Sequence, residues 1–175
     1  EALSLSYAHF SYRIDDVKSL ERGVNLLRNA NLSNEELPKL GGILLAMQGK
    51  LWEGVNLLEQ YYLSNPNAKS FSEIISLIID KAGVDASLRY LEKSVSSYPS
   101  DMIILQYYAD AYLPRNSEKA IAAYSQILES APNNVNALNN LAWLLNETGK
   151  TNDAMMVIEK AYAASNDNVP VISTY

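Results

Sequence analysis

Apolar residues in this chain recur at helical spacing, and the pattern itself repeats. Leu138, Leu141, Ala142 and Leu145 fall at i, i+3, i+4 and i+7, and after Gly149 a second stripe follows with Ala154, Ile158 and Ala161. Such spacing gathers each set on one face of an amphipathic helix. The same pair of stripes runs back through the chain. Leu105, Tyr108, Ala109 and Tyr112 precede Ala120 and Tyr124; Ser72, Ile75, Ser76 and Ile79 precede Ser87 and Leu91. Pro38, Gly41, Gly42 and Leu45 precede Gly54 and Leu58, and a degenerate first copy holds Tyr7, Ala8, Ser11, Leu20 and Val24, with Leu32 near its end. No period-two alternation competes, so no strand is expected.

Pro66, Pro99 and Pro132 stand 33 residues apart, each between two helical stretches. A helix loses no backbone donor there. A fixed period of this size predicts an array of helical hairpins. A single hairpin cannot bury its own apolar faces, so copies stack and cover one another. The expected copies are 1–34, 35–68, 69–101, 102–134 and 135–168, one array of ten helices, with 169–175 opening a truncated further copy. The third and fourth copies are one residue shorter, which is assigned to the turn between their helices. Gly149 marks a helix C-cap and Thr151 a candidate N-cap. Pro114 stops a helix, Asn116 or Ser117 caps the next, and Asp15 or Asp16 caps a helix in the first copy. Small residues at Ala109 and Ala142 let the two helices of a hairpin approach closely.

These positions resemble the tetratricopeptide repeat, whose signature is W-x2-L-G-x2-Y…A-x3-F…P. The small residues match best from about 102 onward. The large slots hold aliphatics or tyrosine, and Asn166 replaces the last proline. The resemblance implies an all-α fold, a right-handed α-α superhelix of about five hairpins. It implies a non-catalytic protein–protein scaffold, with the first helix of each hairpin (helix A) lining a concave groove. The groove slots would be Asn136, Asn139, Trp143, Asn146 and Glu147 in the fifth copy, and Ile103, Gln106, Asp110, Leu113 and Pro114 in the fourth. The third copy offers Ser70, Glu73, Leu77, Asp80 and Lys81; the second offers Glu36, Lys39, Ile43, Ala46 and Met47.

Charge and composition narrow the partner. The chain has 175 residues, 14 Lys plus Arg against 20 Asp plus Glu, and a net charge of −6. Such a chain is a poor match for phosphate backbones, so a nucleic-acid ligand is not expected, the pentatricopeptide type included. Cysteine is absent, which removes disulfides, thiolate nucleophiles and sulfur-ligated metals. His9 is the single histidine and has no second imidazole to share a metal, so no metal, cofactor or catalytic residue is expected. The carboxylate pairs Asp15-Asp16 and Glu35-Glu36 read as helix-start charges rather than catalytic dyads. No apolar run reaches the ~20 residues that span a bilayer. The N-terminus lacks a basic leader, and the chain reads as a fragment of a longer array.

The groove of tetratricopeptide proteins that hold a C-terminal carboxylate carries Lys, Arg and Asn. Asn140 fits one such slot here, but Lys39 stands alone and the clamp reads as absent. What remains is an amide-rich surface with one indole: Asn136, Asn139, Asn140, Trp143, Asn146, Gln106 and Asp110. It suits a peptide backbone, or sugar hydroxyls with the indole as a stacking platform. The alternatives are that the asparagines are merely solvated and that Trp143 packs against a neighbouring repeat. Trp52 reads as a convex-face or packing residue, and Tyr108, Tyr112 and Tyr124 as core. The run 133–145 (NNVNALNNLAWLL) is similar to bacterial tetratricopeptide lipoproteins of exopolysaccharide export and PEP-CTERM sorting. That similarity implies a periplasmic or outer-membrane-associated assembly factor, with polysaccharide as an alternative ligand. Self-association through the cut C-terminal end is also expected.

Overall fold

The computed structural model describes residues 16–29 and 36–165. All regular structure among them is helical. In chain order the helices are α1 (Val17–Asn29), α2 (Leu37–Met47), α3 (Leu51–Ser64), α4 (Ala68–Ala82), α5 (Val84–Ser97), α6 (Met102–Tyr112), α7 (Ser117–Ser130), α8 (Val135–Glu147) and α9 (Thr151–Ala164). The first helix expected from the repeat frame, with Tyr7, His9 and Asp15, lies outside the described residues. So do Leu32, Glu35, Asn166 and the 169–175 tail.

Local chemistry sets the helix ends. Pro66, Pro99 and Pro132 all fall between helices. Just after them, Asn67, Asp101 and Asn134 cap α4, α6 and α8, each side chain accepting from a backbone N–H of the first turn. Asn116 caps α7 through Lys119 N at 3.0 Å, and Asp16 accepts from Ser19 N at 3.2 Å at the start of α1. The Asp16 carboxyl is held below its usual range by those Ser19 bonds. Gly149, at φ 77°, takes the left-handed turn between α8 and α9 that a side chain would strain.

Two local expectations need correction. Thr151 is not an N-cap: the helix already begins there, and Lys150 at the cap makes no side-chain bond. In the fourth copy the turn is not the shortened part. Four residues separate α6 from α7 and three separate α8 from α9, so the missing length comes out of α6. Pro114 has no N–H to offer the Asp110 carbonyl and cannot extend the helix. In the third copy the turn is short as expected, with Gly83 alone between α4 and α5.

The chain forms two compact units, residues 1–87 and 88–175. In the first, α1 packs on α2, α2 on α3, and α3 on α4. The α2–α3 crossing is glycine on both sides. A methyl group at Gly42 would stand 2.8 Å from the Gly54 carbonyl oxygen and 2.9 Å from Leu58 Cγ. One at Gly54 would collide with the Gly42 oxygen. Tyr62 and Phe71 join α3 to α4, both buried, with ring centroids 5.1 Å apart.

In the second unit, α6–α7, α7–α8 and α8–α9 pack in succession. Their core contains Leu105, Ala109, Tyr112, Ala120, Tyr124, Ile127, Ala137, Leu141, Leu145 and Ala154. Ala109, Ala142, Ala154 and Ala161 are all buried, which is what close-approach positions require.

Candidate functional site

The seven residues singled out from the sequence all lie in the second unit, on α6 and α8. Asn136, Asn139, Trp143 and Asn146 follow one another at three- or four-residue steps along α8 and share one face of it. Asn136 and Trp143 are exposed, and Asn139 and Asn146 are half-buried. Trp143 keeps 38% of its surface open, whereas Leu144 beside it is buried at 1%. The opposite face, with Leu138 and Leu141, goes into the core.

Gln106, Asp110 and Asn140 are drawn together by a residue expected only to fill the core. Tyr124 on α7 is fully buried, and its hydroxyl bridges side chains of α6 and α8. It donates to Asp110 Oδ1 at 2.6 Å and accepts from Asn140 Nδ2 at 2.9 Å. Gln106 Nε2 donates to the same Oδ1 at 2.9 Å. Burial, then the Asp110 carboxylate accepting its proton, push the Tyr124 phenol far above its usual range. The hydroxyl is therefore a fixed donor to Asp110. Asn140 turns its amide inward to this network. Asn146 receives only a long contact from Thr151, at 3.5 Å.

A second polar cluster was not visible from spacing. Glu92 of α5 accepts from Tyr112 Oη at 2.8 Å and from Lys119 Nζ at 2.5 Å. The Lys119 ammonium also sits 4.5 Å from the Tyr112 ring centroid, and Tyr108 stacks on Tyr112 at 4.6 Å. The hydrogen bonds from Lys119 and Tyr112 hold the Glu92 carboxyl below its usual range. The bond to Glu92 raises Lys119. Burial raises the phenols of Tyr108 and Tyr112. Tyr112 is core as expected, while Tyr108 is only partly covered. The glutamate, tyrosine and lysine lie 20 and 27 residues apart, separations that a helical period does not flag.

In the first unit the groove slots behave differently. Lys39 does not stand alone: its ammonium meets both carboxylate oxygens of Glu73 at 2.9 Å, with both side chains largely covered. Its charge is spent between α2 and α4, which leaves the carboxylate clamp without its lysine. Ile43, Ala46 and Ser70 are buried rather than groove-facing. For Ile43 and Ala46 the reason is that α2 is apolar almost all round and has no solvated face to offer; Ser70, in the first turn of α4, is turned onto the capping Asn67 side chain. Trp52, on α3, is 55% exposed. Glu36 stands at the N-cap of α2 without a side-chain capping bond.

Two further features bear on ligands. A cavity of about 670 Å³ opens on the core-facing side of α8, lined by Leu128, Pro132, Leu138, Leu141, Val157 and Lys160 among others. Among the described residues no cluster of His, Cys, Asp or Glu could hold a metal, and no helix is long and apolar enough to cross a membrane.

A tetratricopeptide-repeat family profile matches residues 123–156, from α7 into α9. No curated protein matches the chain. Solved structures of MamA share the fold. A MamA RS-1 ArsTM double mutant aligns at 17% identity and a TM-score of 0.56, over 96% of this chain and 97% of its own. A crystal structure of MamA protein aligns at 15% identity and 0.56, over 98% and 97%. MamA 41-end from Desulfovibrio magneticus RS-1 aligns at 16% identity and 0.56, over 97% of each. The fold is an all-helical repeat of tetratricopeptide type.

Proposed function

We propose that this chain is a non-catalytic scaffold that holds a partner protein along α6 and α8, at Asn136, Asn139, Trp143, Asn146, Gln106 and Asp110. The carrying observation is Trp143, a large aromatic left open on a helix face of amides. Half-exposed indoles flanked by hydrogen-bonding groups are the composition of interface anchors. Asn140 supports this surface from beneath through Tyr124 and is not itself a contact in this reading.

The experiment is to measure melting and partner affinity on one variant. Trp143→Ala should weaken binding by about 2 kcal/mol or more if the indole is a hot spot. Its melting temperature should change less. A large melting loss, with affinity per folded molecule unchanged, would place Trp143 in the core and move the site elsewhere. Asn139→Ala and Asn146→Ala should each weaken binding by about 0.5–1.5 kcal/mol.

The same amides and indole suit sugar hydroxyls, so a carbohydrate-contacting module is the second reading. It would accord with a periplasmic role in exopolysaccharide export, a finer assignment carried only by the 133–145 run. Titrating oligosaccharides into a Trp52→Phe variant, so that Trp143 is the sole emitting indole, decides it. Unchanged fluorescence with every glycan would discard the carbohydrate reading and leave the protein-partner one standing.

A further inference from the structure

The α6–α8 surface has a polarity that the amide inventory hides. Its groove slots carry two charges, Asp110 and Glu147, and both are acidic. Arg115, the cation nearest to Asp110 in sequence, is turned onto the Ala111 carbonyl at 2.7 Å. Asp110 is exposed, yet its carboxylate is not free to rotate. Tyr124 and Gln106 both donate to Oδ1, and neither of these donors takes Oδ2. A carboxylate fixed by one oxygen presents the other in a set direction, with the ordering entropy already spent. Trp143 stands one helical turn beyond Asn140, and Asn140 meets Asp110 through the shared Tyr124 hydroxyl. The indole therefore lies one helical turn along α8 from the point where the Tyr124 hydroxyl ties that helix to the oriented carboxylate of α6.

We infer that Asp110 and Trp143 together form a subsite for a cationic side chain, arginine or lysine, carried by the partner polypeptide; this rests on the groove reading above. The chemistry is complementary on two counts. The indole face attracts a cation through its quadrupole. The open Oδ2 accepts one of the N–H donors that a guanidinium or ammonium carries. The surrounding Asn139 and Asn146 amides bind backbone without adding charge. With no basic residue at the groove slots of either helix, an acidic partner segment would meet only Asp110 and Glu147 and be disfavoured.

The test uses the whole chain, with its side chains assigned by NMR, and three probe peptides. They are acetyl-Ser-Ala-Arg-Ala-Ser-amide, its lysine counterpart, and its citrulline counterpart, which keeps the shape of arginine without the charge. The arginine peptide is expected to shift the Trp143 indole and Asn139 amide resonances, and to bind about three- to tenfold tighter than citrulline. The lysine arm reports which cation is preferred. Asp110→Asn should abolish the preference over citrulline with the fold retained, as judged by circular dichroism. Trp143→Leu, which leaves the Tyr124 network untouched, should also lower arginine affinity. Equal binding of the arginine and citrulline peptides at Trp143 overturns the cationic subsite and leaves the groove reading intact. A preference that survives Asp110→Asn overturns it too. Probe peptides that never perturb Trp143 would sink the subsite and the groove reading together.

Discussion

At the scale of single residues, the polar contacts decide more than the sequence suggests. Lys119 is the plainest case. By pattern it is an exposed lysine whose replacement should do almost nothing. In the structure it binds Glu92 and covers the Tyr112 ring, so Lys119→Ala is expected to lower the melting temperature while Lys150→Ala does not. Equal melting of both variants would show that the cluster is merely solvated. Its pH dependence follows from the shifts. Glu92 is depressed, so its contribution is present above the ordinary glutamate value and lost as pH falls through the lower folded value. Lys119 is raised, so its contribution is present below the ordinary lysine value and lost as pH climbs past it. The melting gap between the native chain and Glu92→Gln should therefore hold level from about pH 5 to pH 10 and close in acid. A gap that persists well below the carboxylate range would exclude the ion pair as its origin. Tyr124→Phe removes the hydroxyl shared by Asp110 and Asn140 and should cost about 1–2 kcal/mol in denaturant melts. The raised phenol adds a signature in base: stability should fall as pH rises beyond the ordinary tyrosine value, because unfolding lets Tyr124 ionise.

At the scale of helices, the frame was legible and the crossings were not. Apolar spacing placed Ala109, Ala142, Ala154 and Ala161 at buried contacts, because burial of one face is the condition that writes a helical period into a sequence. Proline spacing located the connections for the same kind of reason. Caps were partly missed, although an Asn or Asp one or two residues past each proline was there to be read. The Lys39–Glu73 and Glu92–Lys119 pairs were not readable, since they depend on which helices neighbour each other in space. The α2–α3 crossing lies between these cases. Gly42 and Gly54 fill the slots that hold Ala142 and Ala154 in the fifth copy, but there the backbones come closer than any methyl permits. The nearest obstructing atom in each case is the backbone oxygen of the other glycine, so relief requires the helices to separate. Gly42→Ala and Gly54→Ala should each cost about 1–3 kcal/mol, despite the better helix propensity of alanine. Ala142→Leu should cost a similar ~1–3 kcal/mol by overpacking the α8–α9 hairpin. If both glycine variants prove more stable than the native chain, propensity outweighs packing and the crossing is looser than its geometry indicates.

At the scale of the whole molecule, the outward face of a repeat needs either a polar cap or a further helix, and α9, the last helix among the described residues, bears on which. On α7 the residues Ala123, Tyr124 and Ile127 are buried in a core shared with Ala137 and Leu141 of α8. The matching positions on α9 are Val157, Ile158 and Ala161. Ala161 is buried, but Val157 and Ile158 are only half-covered. Nearby, Met155, Met156 and Tyr162 are exposed, Tyr162 at 70%. Met155, Ile158 and Tyr162, at i, i+3 and i+7, share one incompletely covered apolar face of this fourteen-residue helix, whereas Met156 points about a third of a turn away from it. A repeat face of this kind normally receives the next helix of the stack. The apolar residues Val169, Val171, Ile172 and Tyr175 lie just downstream in the sequence. The chain is therefore expected to associate as its concentration rises, seen as growing mass in sedimentation. Removing 169–175 should increase that association or lower the melting temperature. Met155→Lys together with Tyr162→Lys should suppress association while leaving melting nearly unchanged, since neither side chain is buried. Strict monomers at every concentration, indifferent to the deletion, would mean that α9 is a solvated end, and the reading of 169–175 as the opening of another repeat would be abandoned.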